Sequence, residues 1–139
     1  MRRIRIHFDD VAAEAMLLED LAPRITDALW EHLPLRDRAI GARWSGDLWR
    51  SETDQDLGTG DLVENEAGLL RAGDVFYYAD PGVRCRVGFA WNSAQWMAPL
   101  WHPRPVSLIA RVDTGVEALV ARSARLGNEG PKVFEITRV

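Results

Sequence analysis

The chain has 139 residues, of which 47% are hydrophobic and 27% are charged, and its formal net charge at pH 7 is −4. This length predicts a single domain over residues 1–139 with a substantial core. The acidic balance argues against a nucleic-acid partner, and no apolar run is long enough to cross a membrane. Because Cys85 is the single cysteine and the N-terminus lacks the apolar segment of a secretory signal, we expect a cytoplasmic protein without internal disulfides.

The N-terminal residues predict a strand followed by a segment of ambiguous structure. Apolar and polar side chains alternate over residues 3–8, which is the period of a half-buried strand, and Asp9 and Asp10 form a turn. The composition of Val11–Leu18 favours a helix, while its alternate positions also suit one face of a strand. The residues alone leave both structures open for this segment.

A helix is predicted in the region of Pro23, because proline is tolerated in the first helical turn. Apolar side chains recur there at a spacing of four residues, as one face of a helix requires. The residues of this face are Leu21, Ile25, Leu29 and Leu33. Pro34 then ends the predicted helix.

The segment Ala39–Arg50 predicts a strand that carries an arginine between small side chains. A period of two places Ile40, Ala42 and Trp44 toward a core, and Gly41, Arg43 and Ser45 toward the other side. Gly41 and Ser45 leave space around the Arg43 guanidinium, whose planar fork of donors suits carboxylates and amide oxygens. We therefore predict that Arg43 lies on the floor of a binding cleft. A surface arginine on an edge strand is the alternative.

Residues 51–70 contain six acidic side chains and no lysine or arginine, which predicts a long exposed loop. Asp54 and Asp56 have the spacing of a calcium loop. Thr59 and Asn65, however, stand where that loop needs a glycine and a bidentate acid. No calcium site is therefore predicted.

Glu64 and Asn65 close the acidic loop and are candidate ligand-binding residues. An asparagine amide offers both a donor and an acceptor to an amide-bearing ligand. The alternative is structural, since such side chains also end loops through turn hydrogen bonds. Tyr77 and Tyr78 lie on opposite faces of one predicted strand, so at most one of them can reach a given cleft, and we favour Tyr78.

The C-terminal half predicts three strands, a helix and a final strand. The strands are Val75–Ala79, the clearly amphipathic Val83–Trp91, Val106–Val112 and Lys132–Val139. Pro81 and Gly82 predict a turn, and Asn92–Pro105 predicts a loop. The order of elements fits an antiparallel β-barrel closed by two helices.

The last helix is predicted from its two ends. Thr114 and Glu117 have the spacing of a capping box, which marks the N-terminus of a helix. Gly127 is a natural C-cap. The apolar face between them consists of Val116, Leu119, Val120 and Leu126.

The tryptophans predict both core and contact positions. Trp30, Trp44 and Trp91 are interpreted as core residues. Trp96 and Trp101 are candidates for a ligand wall or a subunit contact, and with Met97 and Leu100 they form an apolar cluster that would suit a homo-oligomer.

The remaining candidate side chains predict no chemistry of their own. Cys85 lies on the apolar face of its strand and is interpreted as a buried structural thiol. His7, His32 and His102 share no metal spacing, so neither a metal nor a cofactor is expected. Ser45 has no evident base beside it and is not predicted to be a nucleophile.

Four parts of the chain together resemble a group of small bacterial cyclophilin-like proteins that is catalogued as a domain of unknown function. These parts are Leu18–Leu35, Ala42–Gly46, the pair Glu64 and Asn65, and Gly73–Tyr78. The resemblance covers most of residues 2–112. It implies an eight-stranded, mainly β, cyclophilin-like barrel with a helix at each end, and it makes Val11–Leu18 a strand against its propensity.

The resemblance also bears on activity. In cyclophilins an arginine on a strand hydrogen-bonds the substrate and weakens the resonance of an X-Pro amide, and Arg43 looks like its positional counterpart. The other cyclophilin pocket residues have no assignable match. Ile25 and Gly41 stand where the group often has Thr and His, and a Trp- and Pro-rich loop replaces an expected Tyr-Gly segment.

We therefore expect a binding module for a small polar or anionic organic ligand, or a peptide-like group, in a cleft around Arg43. The predicted ligand-binding residues are Arg43, Ser45, Glu64, Asn65, Tyr78 and Trp101. The alternative is an enzyme, either a peptidyl-prolyl isomerase or an amide-processing activity in which Arg43 is the electrophile and Glu64 the acid or base.

Overall fold

The chain begins with a β-hairpin that settles the ambiguity of its second segment. The computed structural model describes residues 1–80, 84–97 and 102–139. Strand β1 (Arg3–Phe8) pairs antiparallel with β2 (Val11–Leu17), and Phe8 lies opposite Val11. Ala13, Ala15 and Leu17 are buried in the core, so tertiary burial outweighs the helical propensity of this segment. The strand implied by the resemblance is confirmed.

The remaining elements follow in chain order. They are helix α1 (Pro23–His32), strand β3 (Leu35–Gly41), a 3-10 turn (Arg43–Ser45), β4 (Gly46–Ser51), β5 (Glu66–Ala67), β6 (Asp74–Asp80), β7 (Arg84–Ala94), β8 (Val106–Thr114), helices α2 (Val116–Ser123) and α3 (Leu126–Glu129), and β9 (Lys132–Arg138). The predicted turn at Pro81 and Gly82 lies outside the described residues.

Eight of the strands close into an antiparallel barrel. Their order is β2-β1-β9-β3-β4-β7-β6-β8, and β8 pairs with β2 to complete the circle. The two-residue β5 also pairs antiparallel with β8, at Val106 and Ser107. The predicted closed antiparallel β-barrel is therefore confirmed, with three short helices in the described ranges rather than two.

Because all the strands pair antiparallel, each connection between strands lies at one of the two ends of the barrel. Helix α1 joins the end of β2 to the start of β3, and the loop at residues 52–65 leaves β4 at this same end, which we call the α1 end. The 3-10 turn between β3 and β4 lies at the opposite end, as do α2 and α3 between β8 and β9. We call this the α3 end.

Aromatic rings fill the barrel interior. Trp49 is 1% exposed, and its ring lies 4.7 Å from that of Phe134 and 5.4 Å from that of Phe8. Its indole Nε1 donates to Ser123 Oγ at 3.0 Å, which ties α2 to the interior. The core placement predicted for Trp44 is wrong, because this side chain is 45% exposed. Trp30 is half-buried, with the guanidinium groups of Arg2 and Arg138 over its ring.

A second apolar cluster covers the outer face of β4, β6 and β7. Trp96 is 2% exposed and packs against the rings of Phe76 and Tyr78, with centroid distances of 5.9 and 5.2 Å. The predicted role of Trp96 in a ligand wall or subunit contact is therefore wrong, since its own chain buries it. Both faces of β7 are buried over most of its length, so β7 is less amphipathic than predicted and extends to Ala94.

The predicted continuous strand over Ala39–Arg50 is interrupted at Ala42–Ser45. The Ser45 amide donates to the Ala42 carbonyl at 2.7 Å, closing a turn, and Gly46 follows with φ +101°. A Cβ at Gly46 would lie 2.9 Å from the Ser93 carbonyl oxygen, so glycine allows the close approach of β7. This turn moves Arg43 off the strand and onto the α3 end.

The predicted last helix also differs at both ends. Gly115, with φ +76°, precedes α2 directly, and the Thr114 hydroxyl contacts Asp113 rather than capping the helix. The predicted capping box is therefore wrong. The helical region is divided into α2 and α3, so Gly127 lies inside α3 and is not a C-cap. Leu21, predicted on the apolar face of α1, is 58% exposed.

The acidic loop has little regular structure, as predicted, but it is anchored to the barrel. Leu57 and Leu62 pack against the main core, and the Leu57 amide donates to the Tyr77 hydroxyl at 3.1 Å. The loop therefore covers part of the α1 end.

Candidate functional site

Arg43 lies where three adjoining cavities meet at the α3 end. One cavity, of about 460 Å³, is lined by Arg43, Gln95 and Met97. A second, of about 310 Å³, is lined by Arg43 and Pro131. A third cavity, of about 410 Å³, is also lined by Arg43. Its lining residues include Gly41, Asp47, Trp91, Leu126 and Gly127. We call these three cavities together the Arg43 groove.

The Arg43 side chain rests on the backbone of α3. A Cβ at Gly127 would overlap Nη2 of Arg43, so the guanidinium lies where a side chain at Gly127 would be. Arg43 is exposed, and within residues 1–80, 84–97 and 102–139 its guanidinium has no ion pair or hydrogen bond. Five N–H donors are thus presented to the groove.

Ser45 supports the turn that carries Arg43. Its side chain is buried, and its Oγ accepts a hydrogen bond from the Met97 amide at 2.9 Å. The Gln95 amide donates to the Ser45 carbonyl at 2.7 Å. Ser45 also lines the opening toward Met97. The structure therefore brings Ser45 close to Arg43, with its hydroxyl engaged by the backbone of the segment that follows β7.

Glu64 and Asn65 lie away from the Arg43 groove. Glu64 Oε1 accepts from the Ile25 amide at 2.8 Å, in the first turn of α1, and the Glu64 amide donates to Ser107 Oγ at 3.0 Å. Asn65, with φ +50°, donates from Nδ2 to the Leu108 carbonyl at 2.9 Å. Both side chains make structural hydrogen bonds, but to α1 and β8 rather than within a local turn as the structural alternative had it.

Tyr78 lines a separate cavity of about 280 Å³ on the outer face of the barrel. Asp61, Asp80, Arg104 and Ser107 also line it. Burial raises the pKa of the Tyr78 hydroxyl, the charge of Asp80 raises it further, and Arg104 opposes the rise. Trp101, the remaining predicted ligand-binding residue, lies outside the described residues.

Most residues of the groove were not predicted as part of it, among them Asp47, Trp91 and Gly127. Asp47 accepts from Asn92 Nδ2 at 3.2 Å and supplies a carboxylate on the rim. Trp91 was interpreted as core, and Gly127 as a helix cap. No local pattern marks Gly127 as a partner of Arg43, because α3 reaches the turn only through barrel closure.

The described ranges also lack two kinds of feature. No group of three or more His, Cys, Asp or Glu side chains among them is arranged to hold a metal ion. None of the helices within those ranges is long and apolar enough to span a membrane.

Residues 4–138 match the family described as a protein of unknown function, DUF3830. The chain belongs to this family. No curated protein has significant similarity to the sequence.

Two solved structures are similar in fold. McbB, whose structure is in complex with tryptophan, superposes with a TM-score of 0.73 at 16% sequence identity. The match covers 97% of this chain and 44% of the McbB chain, so this chain spans less than half the length of that neighbour. A hypothetical protein of Archaeoglobus fulgidus, whose structure was solved in solution, superposes with a TM-score of 0.59 at 20% identity. The match covers 99% of this chain and 95% of the archaeal chain.

Proposed function

We propose that this protein binds a small organic ligand with a carboxylate or amide head group in the Arg43 groove. The observation that carries the proposal is the Arg43 guanidinium, exposed at the meeting point of three cavities and unpaired within the described ranges. Carboxylates and amide oxygens are the acceptors that fit its planar fork.

The walls of the groove indicate the shape of the ligand. On one side Arg43 faces Asp47 and the half-buried Trp91, which offer a carboxylate and an aromatic ring. On the other side the wall is mostly apolar and consists of Ile40, Trp44, Leu126 and Pro131. Ligand sites typically combine such apolar surface with a few polar groups that fix orientation. A ligand with a polar head on Arg43 and an apolar body beside Leu126 uses both.

Binding is better supported than catalysis. The amide-processing alternative requires Glu64 beside Arg43, and Glu64 instead accepts a hydrogen bond at the α1 end. The isomerase alternative requires an arginine on the face of a strand, and Arg43 stands in the 3-10 turn. We therefore propose a binding module, and turnover of an X-Pro peptide that Arg43→Ala abolishes would contradict it.

Replacing Arg43 tests the proposal directly. Small carboxylic acids and amides, with tryptophan included because it is the ligand named for McbB, are screened by thermal shift. Arg43→Ala is expected to keep the melting temperature within about 2 °C and to weaken binding of every hit by about tenfold or more, the value of a charge-assisted hydrogen bond. Arg24→Ala removes a similarly exposed arginine from α1 and is expected to change no ligand shift.

Gly127→Ala offers a second variant that keeps the charge. The added methyl group displaces the guanidinium from α3, while the helical backbone at this position accepts alanine well. We expect ligand affinity to fall several-fold without loss of stability. If a ligand raises the melting temperature of both variants as much as that of the wild type, the ligand binds elsewhere.

A further inference from the structure

Three arginines lie together on the outer face of β4 and β7. Alternation along β7 directs Cys85 and Val87 into the core, so Arg84 and Arg86 face outward. On β4, Trp49 faces inward and Arg50 outward. Arg50 lies opposite Gly88, two residues along β7 from Arg86. We call Arg50, Arg84 and Arg86 the arginine triad.

The triad has fewer acceptors than its donors need. Arg86 is 9% exposed, and its Nη1 forms an ion pair with Asp54 Oδ1 at 3.1 Å that lacks the alignment of a hydrogen bond. Arg50 Nη1 donates to the Ser51 carbonyl at 3.0 Å. The Nε atoms of Arg50 and Arg86 are buried without an acceptor, and Arg84 is exposed without an ion pair to any residue that the structure describes.

The positive charges of the triad act on one another. Burial lowers the pKa of Arg50, the charges of Arg86 and then Arg84 lower it further, and the carboxylates of Glu52 and Asp37 oppose this lowering. Buried charge is unfavourable unless it is paired and hydrogen-bonded. Asp54 is the one carboxylate in direct contact with the triad among the described residues, and its side chain is 57% exposed. Its Oδ1 is shared with the Cys85 amide, which donates to it at 3.0 Å.

We propose that the arginine triad binds a multivalent oxyanion, such as a phosphate group or a dicarboxylate, which takes the acceptor position now held by Asp54. Guanidinium groups bind such anions through paired charge-assisted hydrogen bonds, and several of them together favour a multivalent anion over a monovalent one. The Asp54 side chain acts as an internal competitor that holds Arg86 when no anion is bound. The triad lies on the outer wall of the barrel, apart from the Arg43 groove at the α3 end.

The test uses inorganic phosphate as the probe and Asp54→Asn as the decisive variant. Melting temperature is measured against phosphate concentration at constant ionic strength, with sodium chloride as the control salt. The wild-type protein is expected to show a saturable rise that chloride does not produce. Asp54→Asn keeps an acceptor for the Cys85 amide and removes the competing charge. It is therefore expected to melt lower without phosphate and to bind phosphate several-fold more tightly.

Exposed Arg84 supplies the loss-of-binding variant, because Arg86 is too buried to be removed safely. Arg84→Ala is expected to weaken phosphate binding about tenfold, while Arg24→Ala, which lies outside both sites, leaves it unchanged. Unchanged or weaker phosphate binding in Asp54→Asn, or equal shifts with chloride, would overturn the proposal. Malonate and acetate then distinguish the source, since a triad that accepts any multivalent oxyanion gives a malonate shift that Arg84→Ala weakens, whereas Arg84→Ala leaves any acetate shift unchanged. Because the Arg43 groove is tested by other variants, either proposal can fail alone.

Discussion

Gly88 marks the closest approach of three strands in the barrel wall. A Cβ at this position would lie 2.5 Å from the Trp49 carbonyl oxygen and would overlap the ring of Phe76. The ring of Phe76 thus occupies space that any larger residue would need, and the second apolar cluster depends on it. Here glycine is required by packing rather than by backbone conformation, which a local sequence pattern does not reveal.

Gly88→Ala is expected to lower the free energy of unfolding by about 1–3 kcal/mol, because overpacking forces neighbouring groups to shift. Gly41→Ala is the matched control, since a Cβ at Gly41 would meet no atom within 4 Å. Urea denaturation of both variants is the measurement. Equal stability of the two variants would show that the barrel wall relaxes around the added methyl group.

At the scale of elements, α1 receives its N-terminal acceptor from a distant loop. The residue before the helix is Ala22, which offers no side-chain cap, and Pro23 lacks an amide donor. Glu64 supplies the missing acceptor to the Ile25 amide at 2.8 Å and brings negative charge to the positive end of the helix dipole. The contact joins the acidic loop to α1 at the α1 end.

Glu64→Ala is expected to cost about 0.5–2 kcal/mol of stability, the usual value of a lost N-terminal cap. Glu64→Gln keeps an oxygen acceptor and loses only the charge, so its loss should be smaller. Glu66→Ala, at an exposed position two residues later, serves as the control. Chemical denaturation ranks the three variants. A loss in Glu66→Ala as large as that in Glu64→Ala would contradict the capping role.

At the scale of the whole molecule, several carboxyl groups link stability to pH. The pKa values of Glu14, Glu19, Asp37, Asp113 and Glu129 are all lowered in the folded protein. Burial by itself would raise the pKa of Asp37. Hydrogen bonds from the side chains of Thr53 and Gln55, at 2.6 and 2.8 Å, and from the Arg38 amide outweigh it. These bonds tie the start of the acidic loop to β3.

A lowered pKa in the folded state gives stability that is present above the unfolded pKa, about 3.9 for aspartate, and is lost as the pH falls through the folded value. The free energy of unfolding should therefore decrease as the pH falls below about 4. Asp37→Asn is expected to be less stable near neutral pH and to show a shallower decrease in acid. Asp20→Asn, at an exposed turn position, is the control. Urea denaturation between pH 2 and 7 measures both slopes, and identical slopes would exclude a contribution from Asp37.

Most of the barrel could be predicted from the sequence, because strands carry their signal in the alternation of side chains. The strands at Arg3–Phe8, Asp74–Asp80 and Lys132–Arg138 were predicted within one or two residues. Val11–Leu17 was one exception, since its composition favours a helix and its pairing with β1 and β8 decides otherwise. Ala39–Arg50 was another, because the turn at Arg43–Ser45 divides it into two paired strands.

The sequence by itself determined where most of the strands lie and that an arginine stands between small residues, but not the number of strands, because the predicted strand Ala39–Arg50 is divided into β3 and β4. The tertiary structure alone decided what surrounds that arginine. Barrel closure brings α3 against the 3-10 turn, so Gly127 and Asp47 become neighbours of Arg43, while Glu64 is held at the other end. The same closure aligns Arg50 with Arg86 across β4 and β7. Strand alternation is a local property, whereas these contacts join residues distant in sequence and depend on how the strands pair.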